Sequence, residues 1–383
     1  MRILSIFDST DPRSGGPIQA EVSRAEALAA HGATVHVVSC DAPLSDWLDQ
    51  LPFAVTACGP ARSGFGYCPS MSGKIEAQLA DSDAVVVHGL WQYHGVAARK
   101  ACLTHRRKYV VYPHGMLDPW FRCRYPLKHA KKQLFWWLAQ YRVLRDAHAV
   151  LFTAEEERRV AQRQFLPYRI RERVVGFGTR DPGPCTCEEM GALAQAIPGL
   201  QGRPFILFLG RLHEKKRPQE LVQAYLEMTE LPFDLVLAGP GDDAIVSRIR
   251  AQVEQSDRAD RVHLPGLLQG PAKWAAFRAA EAFILPSHQE NFGIAVAEAL
   301  ACGTPVLISD KVNIWREIIA DGAGYATPGT HEGTVALLRQ WATTSPAQRD
   351  AMRQAARRCF LQRFEVDQSS LAYLGLLREC AER

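Results

Sequence analysis

A chain of 383 residues, 47% of them hydrophobic, can bury more than one core and is expected to form two domains. Its net charge of +4 is too small to imply nucleic-acid binding. The start gives only a short apolar run, Met1 to Phe7, before Asp8, Ser9 and Thr10, so neither a signal peptide nor a spanning helix is expected and a cytoplasmic location is. In chain order, apolar runs predict strands at Arg2 to Phe7, Thr34 to Ser39, Ala84 to His88, Lys108 to Pro113 and Ala149 to Thr153. A helical pattern from Gln19 to His31, ended by Gly32, separates the first two. A second series follows at Phe205 to Leu209, Phe233 to Ala238, Val262 to Leu264, Ala282 to Leu285 and Pro305 to Ile308. This alternation argues an α/β chain with two doubly wound domains, each a parallel sheet covered on both faces. Gly, Pro, Thr and Asp over 178–184 mark the junction, giving domains at 1–178 and 201–365 with a linker at 179–200. Leu371, Leu374 and Leu377 predict a final helix over 366–383. Facing sheets of this kind leave a cleft between strand C-termini, where ligands bind. The ten cysteines show no paired framework, and Cys185-Thr186-Cys187 lacks a second pair, so free thiols and no metal site are expected.

The most informative stretch runs from Leu285-Pro286-Ser287 through Glu290 to Glu298-Ala299-Leu300. It reads as a strand leaving the core, a loop carrying Glu290, and a helix with Glu298 about two turns inside, some 10 Å from the first carboxylate. Asn291, Phe292 and Gly293 lie between them at the helix start, where unpaired amides and the dipole suit a diphosphate. Either glutamate alone is an ordinary loop or helix acid. Followed by Ala-Leu-Ala-Cys-Gly-Thr-Pro-Val-Leu-Ile-Ser, the pair resembles the donor site of retaining glycosyltransferases of family 4, also known as group 1, which have the GT-B fold of two Rossmann-like domains. The resemblance implies that Glu290 contacts the transferred sugar and that Glu298 holds the ribose of the nucleotide. It also implies a final helix that crosses back to the first domain.

Gly210-Arg211-Leu212-His213-Glu214-Lys215-Lys216-Arg217-Pro218 places cations at another strand end. Arg211 and Lys216 match the family's spacing, and a guanidinium and an ammonium there would neutralise a departing diphosphate without a metal. Lys215 and Arg217 read as solvated neighbours. Ser14-Gly15-Gly16-Pro17 either lets backbone approach a phosphate or simply turns the chain into a helix; the resemblance puts Gly15 and Gly16 beside the donor phosphates and the acceptor. Gly239 and Gly241 close a strand and read as structural, with backbone close to the donor. In Tyr112-Pro113-His114-Gly115, His114 takes the place of a family histidine near the sugar and acceptor, and its neutral ring can both donate and accept. Trp91, after His88-Gly89-Leu90, either stacks on an acceptor sugar or packs.

From Trp120 to Arg145 the chain carries Arg122, Arg124, Lys128, Lys131, Lys132, Arg142 and Arg145, with no acid after Asp118 before Arg145, interleaved with Trp120, Phe121, Tyr125, Phe135, Trp136, Trp137 and Tyr141. Leu127, Leu134, Trp137 or Leu138, Tyr141 and Leu144 make an apolar stripe at helical spacing. Such a segment either lies on an anionic membrane, where each near-surface cation contributes about 1 kcal/mol, or turns its stripe into the core and leaves a basic flank in water. Lys128, Lys131, Lys132, Trp136 and Trp91 are the candidates for an acceptor or membrane surface.

The resemblance as a whole implies a retaining, metal-independent glycosyltransferase with no cofactor beyond a UDP- or GDP-type donor. Its expected task is moving a hexose-type sugar to a growing, lipid-linked glycan, as in bacterial exopolysaccharide or O-antigen biosynthesis. Its expected place is the inner face of the plasma membrane. A sugar-nucleotide epimerase and a non-catalytic nucleotide-sugar-binding subunit are the alternatives, marked by epimerised product without acceptor and by binding without donor consumption.

Overall fold

The computed structural model describes residues 1–14, 16–119, 122 and 124–382. The chain divides into two compact units, Met1–Thr179 with Val366–Arg383, and Arg180–Glu365. The first holds strands β1 (Arg2–Ile6), β2 (Thr34–Ser39), β3 (Ala54–Ala57), β4 (Ala84–His88), β5 (Val110–Tyr112), β6 (Ala149–Phe152) and β7 (Glu172–Val174), in sheet order β3-β2-β1-β4-β5-β6-β7. The second holds β8 (Phe205–Leu209), β9 (Asp234–Ala238), β10 (Val262–Gly266), β11 (Ala282–Leu285), β12 (Val306–Ser309) and β13 (Gly324–Thr327), in order β10-β9-β8-β11-β12-β13. Every pairing in both sheets is parallel. Each unit is therefore a Rossmann-like doubly wound domain, and each has one point where strand order reverses: between β1 and β4, and between β8 and β11.

Side chains alternate across a strand, so a sheet with two covered faces needs apolar residues at odd and even positions alike. Leu4, Ile6, Val85 and Val87 point into one core of the first unit, with Trp136 and helix Tyr93–Thr104; Ile3, Phe7, Ala84 and Val86 point into the other. The second core is closed by the final helix, Val366–Glu382, through Tyr373, Leu374, Leu377 and Cys380. Burying a leucine of this kind contributes about 2 kcal/mol. Leu371, expected on the same stripe, is 51% exposed. Steps of three residues fall about 60° short of a full turn each, so the face that meets the sheet runs through Ser370, Tyr373, Leu374 and Leu377 instead.

The stretch 179–200, expected as a linker, carries helix Cys187–Ala196 and belongs, from Arg180 on, to the second unit. Thr186 caps it by accepting from the Glu189 amide at 3.3 Å, and the Glu189 carboxylate accepts from Arg278 of helix Gly270–Ala279 at 2.8 Å. The Gly- and Pro-rich approach to Thr186 hides a Thr-x-x-Glu helix start. Strands β3, β7 and β13 were not marked by apolar runs. All three are sheet edges and short, and their residues are largely half-buried or exposed, so nothing requires a continuous apolar run there.

Where β9 ends, Gly239 takes φ +140, its amide donates to Gly266, and a Cβ built on it would stand 2.0 Å from the Gly210 carbonyl oxygen. Only glycine lets the turns after β8 and β9 cross at this distance. Gly239→Ala is expected to cost about 2–3 kcal/mol, the scale of an overpacked interior, read as a lower midpoint in urea unfolding. An unchanged midpoint would mean that this crossing relaxes freely.

Candidate active site

In the second unit the loops after β8 and β11 leave neighbouring strands at the order reversal. The first turns through Gly210 and Arg211 into a short 3₁₀ turn, Glu214–Lys216, before helix Pro218–Leu226; the second runs from Pro286 to Gly293, which caps helix Ile294–Ala301. Two contacts join the loops. The His288 amide donates to the Lys215 carbonyl at 2.8 Å, and Lys216 Nζ donates to Glu290 Oε2 at 2.7 Å. Glu290 is further held by its backbone, its amide donating to Lys311 at 2.9 Å and its carbonyl accepting from Asn313 at 3.1 Å. Asn313 Nδ2 also donates to Asn291 Oδ1 at 3.3 Å.

Gly293 has φ +78, with Val296 Cγ2 and the Glu290 side chain within 3.4 Å of a built Cβ, so a side chain would be strained and would press on Glu290. Of the first amides of the helix it caps, those of Val296 and Ala297 donate to the Gly293 carbonyl at 2.8 and 3.2 Å, which leaves those of Ile294 and Ala295 with no partner inside the helix. Phe292 contributes only backbone to this end: its ring is buried, edge-on to Phe364 at 5.6 Å. Arg211 is exposed and has no hydrogen bond or ion pair among the described residues, so its guanidinium is available to an anion.

Glu298, the fifth residue of helix Ile294–Ala301 and so about one turn in rather than the expected two, is 8% exposed and accepts from Lys273 Nζ at 2.6 Å. Burial raises its carboxyl above the ordinary 4.5, and Lys273 offsets only part of that. Sequence reasoning missed Lys273, which sits in the helix opened by Gly270-Pro271, in a stretch with no charge pattern of its own. Arg217, expected to be solvated, is 4% exposed instead. Its backbone is left-handed, φ +58, because the 3₁₀ turn must reverse into the helix that Pro218 starts, and this swings the side chain inward. Gly239 lies at the neighbouring strand end, its place explained by packing against Gly210.

In the first unit, His114 follows β5 with φ +50. Its Nε2 is 2.9 Å from Nδ1 of His88, the last residue of β4, and its ring stacks on Tyr112 at 4.6 Å. The Gly115 amide donates to Glu157 at 2.8 Å, which pins the turn. Both histidines are held well below the ordinary 6.5, by burial first, with Arg24 adding for His88 and His88 and Arg24 adding for His114. Gly16 opens helix Gly16–Ala30 with free space beside it; Gly15, Trp120 and Phe121 lie outside the described residues.

The basic aromatic segment divides differently from expectation. Trp136 is fully buried, with Nε1 donating to the Pro167 carbonyl at 2.9 Å, and is no surface residue. A π-helical turn, Trp136–Gln140, shifts the phase of the helix that precedes it, so the aromatic ahead of the expected stripe enters the core. Leu127, Leu134, Trp137 and Leu138 of that stripe are exposed, beside exposed Lys128 and Lys131. Trp91 packs against Phe165 at 4.9 Å, its Nε1 donates to Met116 at 3.2 Å, and Lys132 Nζ lies 4.6 Å over its ring. Burial pulls Lys132 down to about 8, Asp118 opposing and Lys128 adding. Among the described residues no group of three or more His, Cys, Asp or Glu side chains could hold a metal.

Residues 194–359 match the family model "Glycosyl transferases group 1", and residues 15–178 match "Glycosyl transferase 4-like domain". A D-inositol 3-phosphate glycosyltransferase of Xylanimonas cellulosilytica is 33% identical over 183 residues, 47% of this chain and 43% of that protein. O-antigen chain mannosyltransferase B of Escherichia coli is 27% identical over 157 residues, 38% of this chain and 40% of that one. The chain thus spans less than half the length of these curated relatives. Among solved structures, Anabaena Alr3699/HepE in complex with UDP aligns with a TM-score of 0.79 at 17% identity, over 99% of this chain and 100% of that one, and it has also been solved with UDP-glucose. The fold shared with it is GT-B.

Lys273→Met would leave a buried carboxylate without its cation, a loss of about 3 kcal/mol near pH 7.5. The folded-state pKa of Glu298 lies above its unfolded value, so stability is lost as pH rises through it and returns on acidification. Urea unfolding at pH 7.5 and pH 5 is expected to show the deficit shrinking; an equal deficit at both would separate Lys273 from Glu298.

Proposed function

The chain joins a glycosyltransferase 4-like domain to a group 1 glycosyltransferase domain, and we propose that it transfers a hexose-type sugar, with retention, from a nucleotide-sugar donor to a lipid-linked glycan. The observation that carries this reading is the Lys216–Glu290 pair at the strand-order reversal, with unpaired Arg211 on one loop and a helix start on the other. A diphosphate brings negative charge that Arg211, Lys216 and the first-turn amides can share. Glu290, freed or shared by Lys216 as the phosphates arrive, orients the sugar hydroxyls, while Glu298 accepts from the ribose in competition with Lys273. The UDP and UDP-glucose seen in the Anabaena neighbour, and the sugar transferases among the relatives, support this choice of donor.

In the proposed transfer the acceptor oxygen forms a bond to the anomeric carbon on the face from which the diphosphate departs. The bond from that carbon to the phosphate oxygen breaks, and the acceptor proton passes to a phosphate oxygen. The cations stabilise the leaving charge where it develops, without a metal. His114 is the hydrogen-bonding group proposed for a sugar or acceptor hydroxyl.

Thermal stabilisation by UDP-, GDP-, ADP- and dTDP-sugars without metal tests the donor site. One nucleotide class is expected to raise the melting temperature, the shift vanishing in Glu298→Ala, while Arg211→Ala keeps the shift and lowers kcat at least tenfold. Transfer at the normal rate by the arginine variant would remove its role.

The lipid-linked acceptor rests on the surface of Leu127, Leu134, Trp137 and Leu138 with Lys128 and Lys131, where an apolar face and cations occur together. No described helix is long and apolar enough to cross a membrane, so we propose peripheral attachment to an anionic bilayer at the cytoplasmic side. Co-sedimentation with phosphatidylglycerol vesicles is expected to exceed that with phosphatidylcholine, and to fall at least tenfold in a Leu127→Ser, Leu138→Ser double variant. Equal sedimentation of both proteins would reject the surface.

A further inference from the structure

Beneath His114 lies a buried polar chain that the transfer reaction as written does not use. Ser5 of β1, Glu21 and Arg24 of helix Gly16–Ala30, and His88 at the end of β4 are each at most 3% exposed. Glu21 Oε1 accepts from Ser5 Oγ at 2.7 Å. Its Oε2 lies 3.4 Å from Arg24 Nη1 and 3.8 Å from His88 Nε2, a nitrogen that is buried with no hydrogen-bond partner. The other nitrogen of His88 meets His114 Nε2 at 2.9 Å. Nδ1 of His114 has no partner among the described residues and is not among their buried orphans.

We propose that Glu21 and His88 are positioning residues: through the sequence carboxylate, imidazole, imidazole they fix His114 as its Nε2–H tautomer and leave Nδ1 a hydrogen-bond acceptor. Each neutral ring has one N–H, and the contact between the rings needs one donor and one acceptor, so a single choice sets both tautomers. If His88 carried its proton on Nδ1, the Nε2 lone pair would face the Glu21 carboxylate, acceptor against acceptor in a dry interior. With the proton on Nε2, an N–H faces that carboxylate, His88 Nδ1 accepts from His114 Nε2–H, and the His114 lone pair stays on Nδ1. Rotating the rings does not offer another way out. Stacking of His88 on Phe7 at 4.2 Å and 8°, and of His114 on Tyr112 at 4.6 Å and 13°, opposes tilting, and a half-turn of either ring within its plane would put carbon where the 2.9 Å contact has nitrogen.

The surrounding groups keep the pair neutral, which is what makes tautomer the deciding variable. Arg24, enclosed by the rings of Tyr112, Phe177 and Tyr373, sets a positive charge beside Glu21. His94 is itself shifted down by burial, and its Nε2 lies 2.8 Å from the His88 carbonyl, which accepts from it. Glu157 reaches the Gly115 amide on the far side of His114. On the transferase reading, on which this use rests, Nδ1 accepts a hydrogen bond from an acceptor or sugar hydroxyl.

The decisive measurement is read on the unaltered protein: two-bond ¹H–¹⁵N spectra of the intact, ¹⁵N-histidine-labelled chain between pH 6.5 and 8, with the His114 signals assigned by their loss in His114→Asn. A protonated Nε2 and an unprotonated Nδ1 on His114 are expected, and the reverse pattern overturns the proposal whether or not transfer is ever observed. Glu21→Gln removes the charge and keeps the shape; His114 is expected to become a mixture of tautomers, with kcat about tenfold lower and the donor KM unchanged. An unchanged His114 pattern in Glu21→Gln would remove Glu21 from the chain.

Discussion

Lys216 and Glu290 are 74 residues apart and meet at 2.7 Å because β8 and β11 are hydrogen-bonded neighbours from which the chain departs in different directions. A doubly wound sheet has one such point, and there the loops from two adjacent strands leave a crevice rather than crossing over each other. Everything proposed for the second unit depends on that constraint. It puts Arg211 and Lys216 on one lip, and Glu290 and the first turn of helix Ile294–Ala301 on the other, with no long loop needed to bring them together.

The charges at this point are not equivalent. Lys216 and Glu290 are each about one-fifth exposed, and they satisfy one another. A pair in such a position contributes little net stability, because partial desolvation offsets the attraction. Its cost of rearrangement is correspondingly low, and an arriving diphosphate can take the ammonium without unfolding the loop. Arg211 has no such partner among the described residues. Glu298 is enclosed more tightly than Glu290 while Lys273 is as open as Lys216, so that pair holds the helices Gly270–Ala279 and Ile294–Ala301 as much as it awaits a ligand.

The central strands were legible in the sequence because burial on both faces forces uninterrupted apolar runs, and β8, β11 and β12 carry them. Edge strands escape that demand, which is why Ala-Val-Thr-Ala, Glu-Arg-Val and Gly-Tyr-Ala-Thr gave no signal. Glu290, Lys216 and Arg211 could be proposed from local pattern because strand ends and helix starts have fixed chemistry. Trp136, Arg217 and Lys273 could not. Their placement is decided by a π-helical turn, a left-handed backbone residue and a partner 25 residues away, none of which has a periodic signature. Amphipathic patterning likewise marks a stripe without saying whether protein, water or lipid will cover it, and Leu127 at 87% exposed shows how far the two can diverge.

Burying Glu21 and Arg24 in the first unit is expensive unless the cation is solvated by something other than water. The faces of Tyr112, Phe177 and Tyr373 do that, with the Arg24 guanidinium 4.4 Å from the Tyr373 ring centre. Tyr373 belongs to the final helix, anchored beside it by Leu374 and Leu377. The end of the chain therefore covers the cation, the cation accompanies Glu21, and Glu21 faces His88. Water at Arg24 would screen the carboxylate and weaken its hold over the imidazole 3.8 Å away. A helix that reads in sequence as simple packing is thus part of what keeps a polar chain dry enough for one proton position to matter.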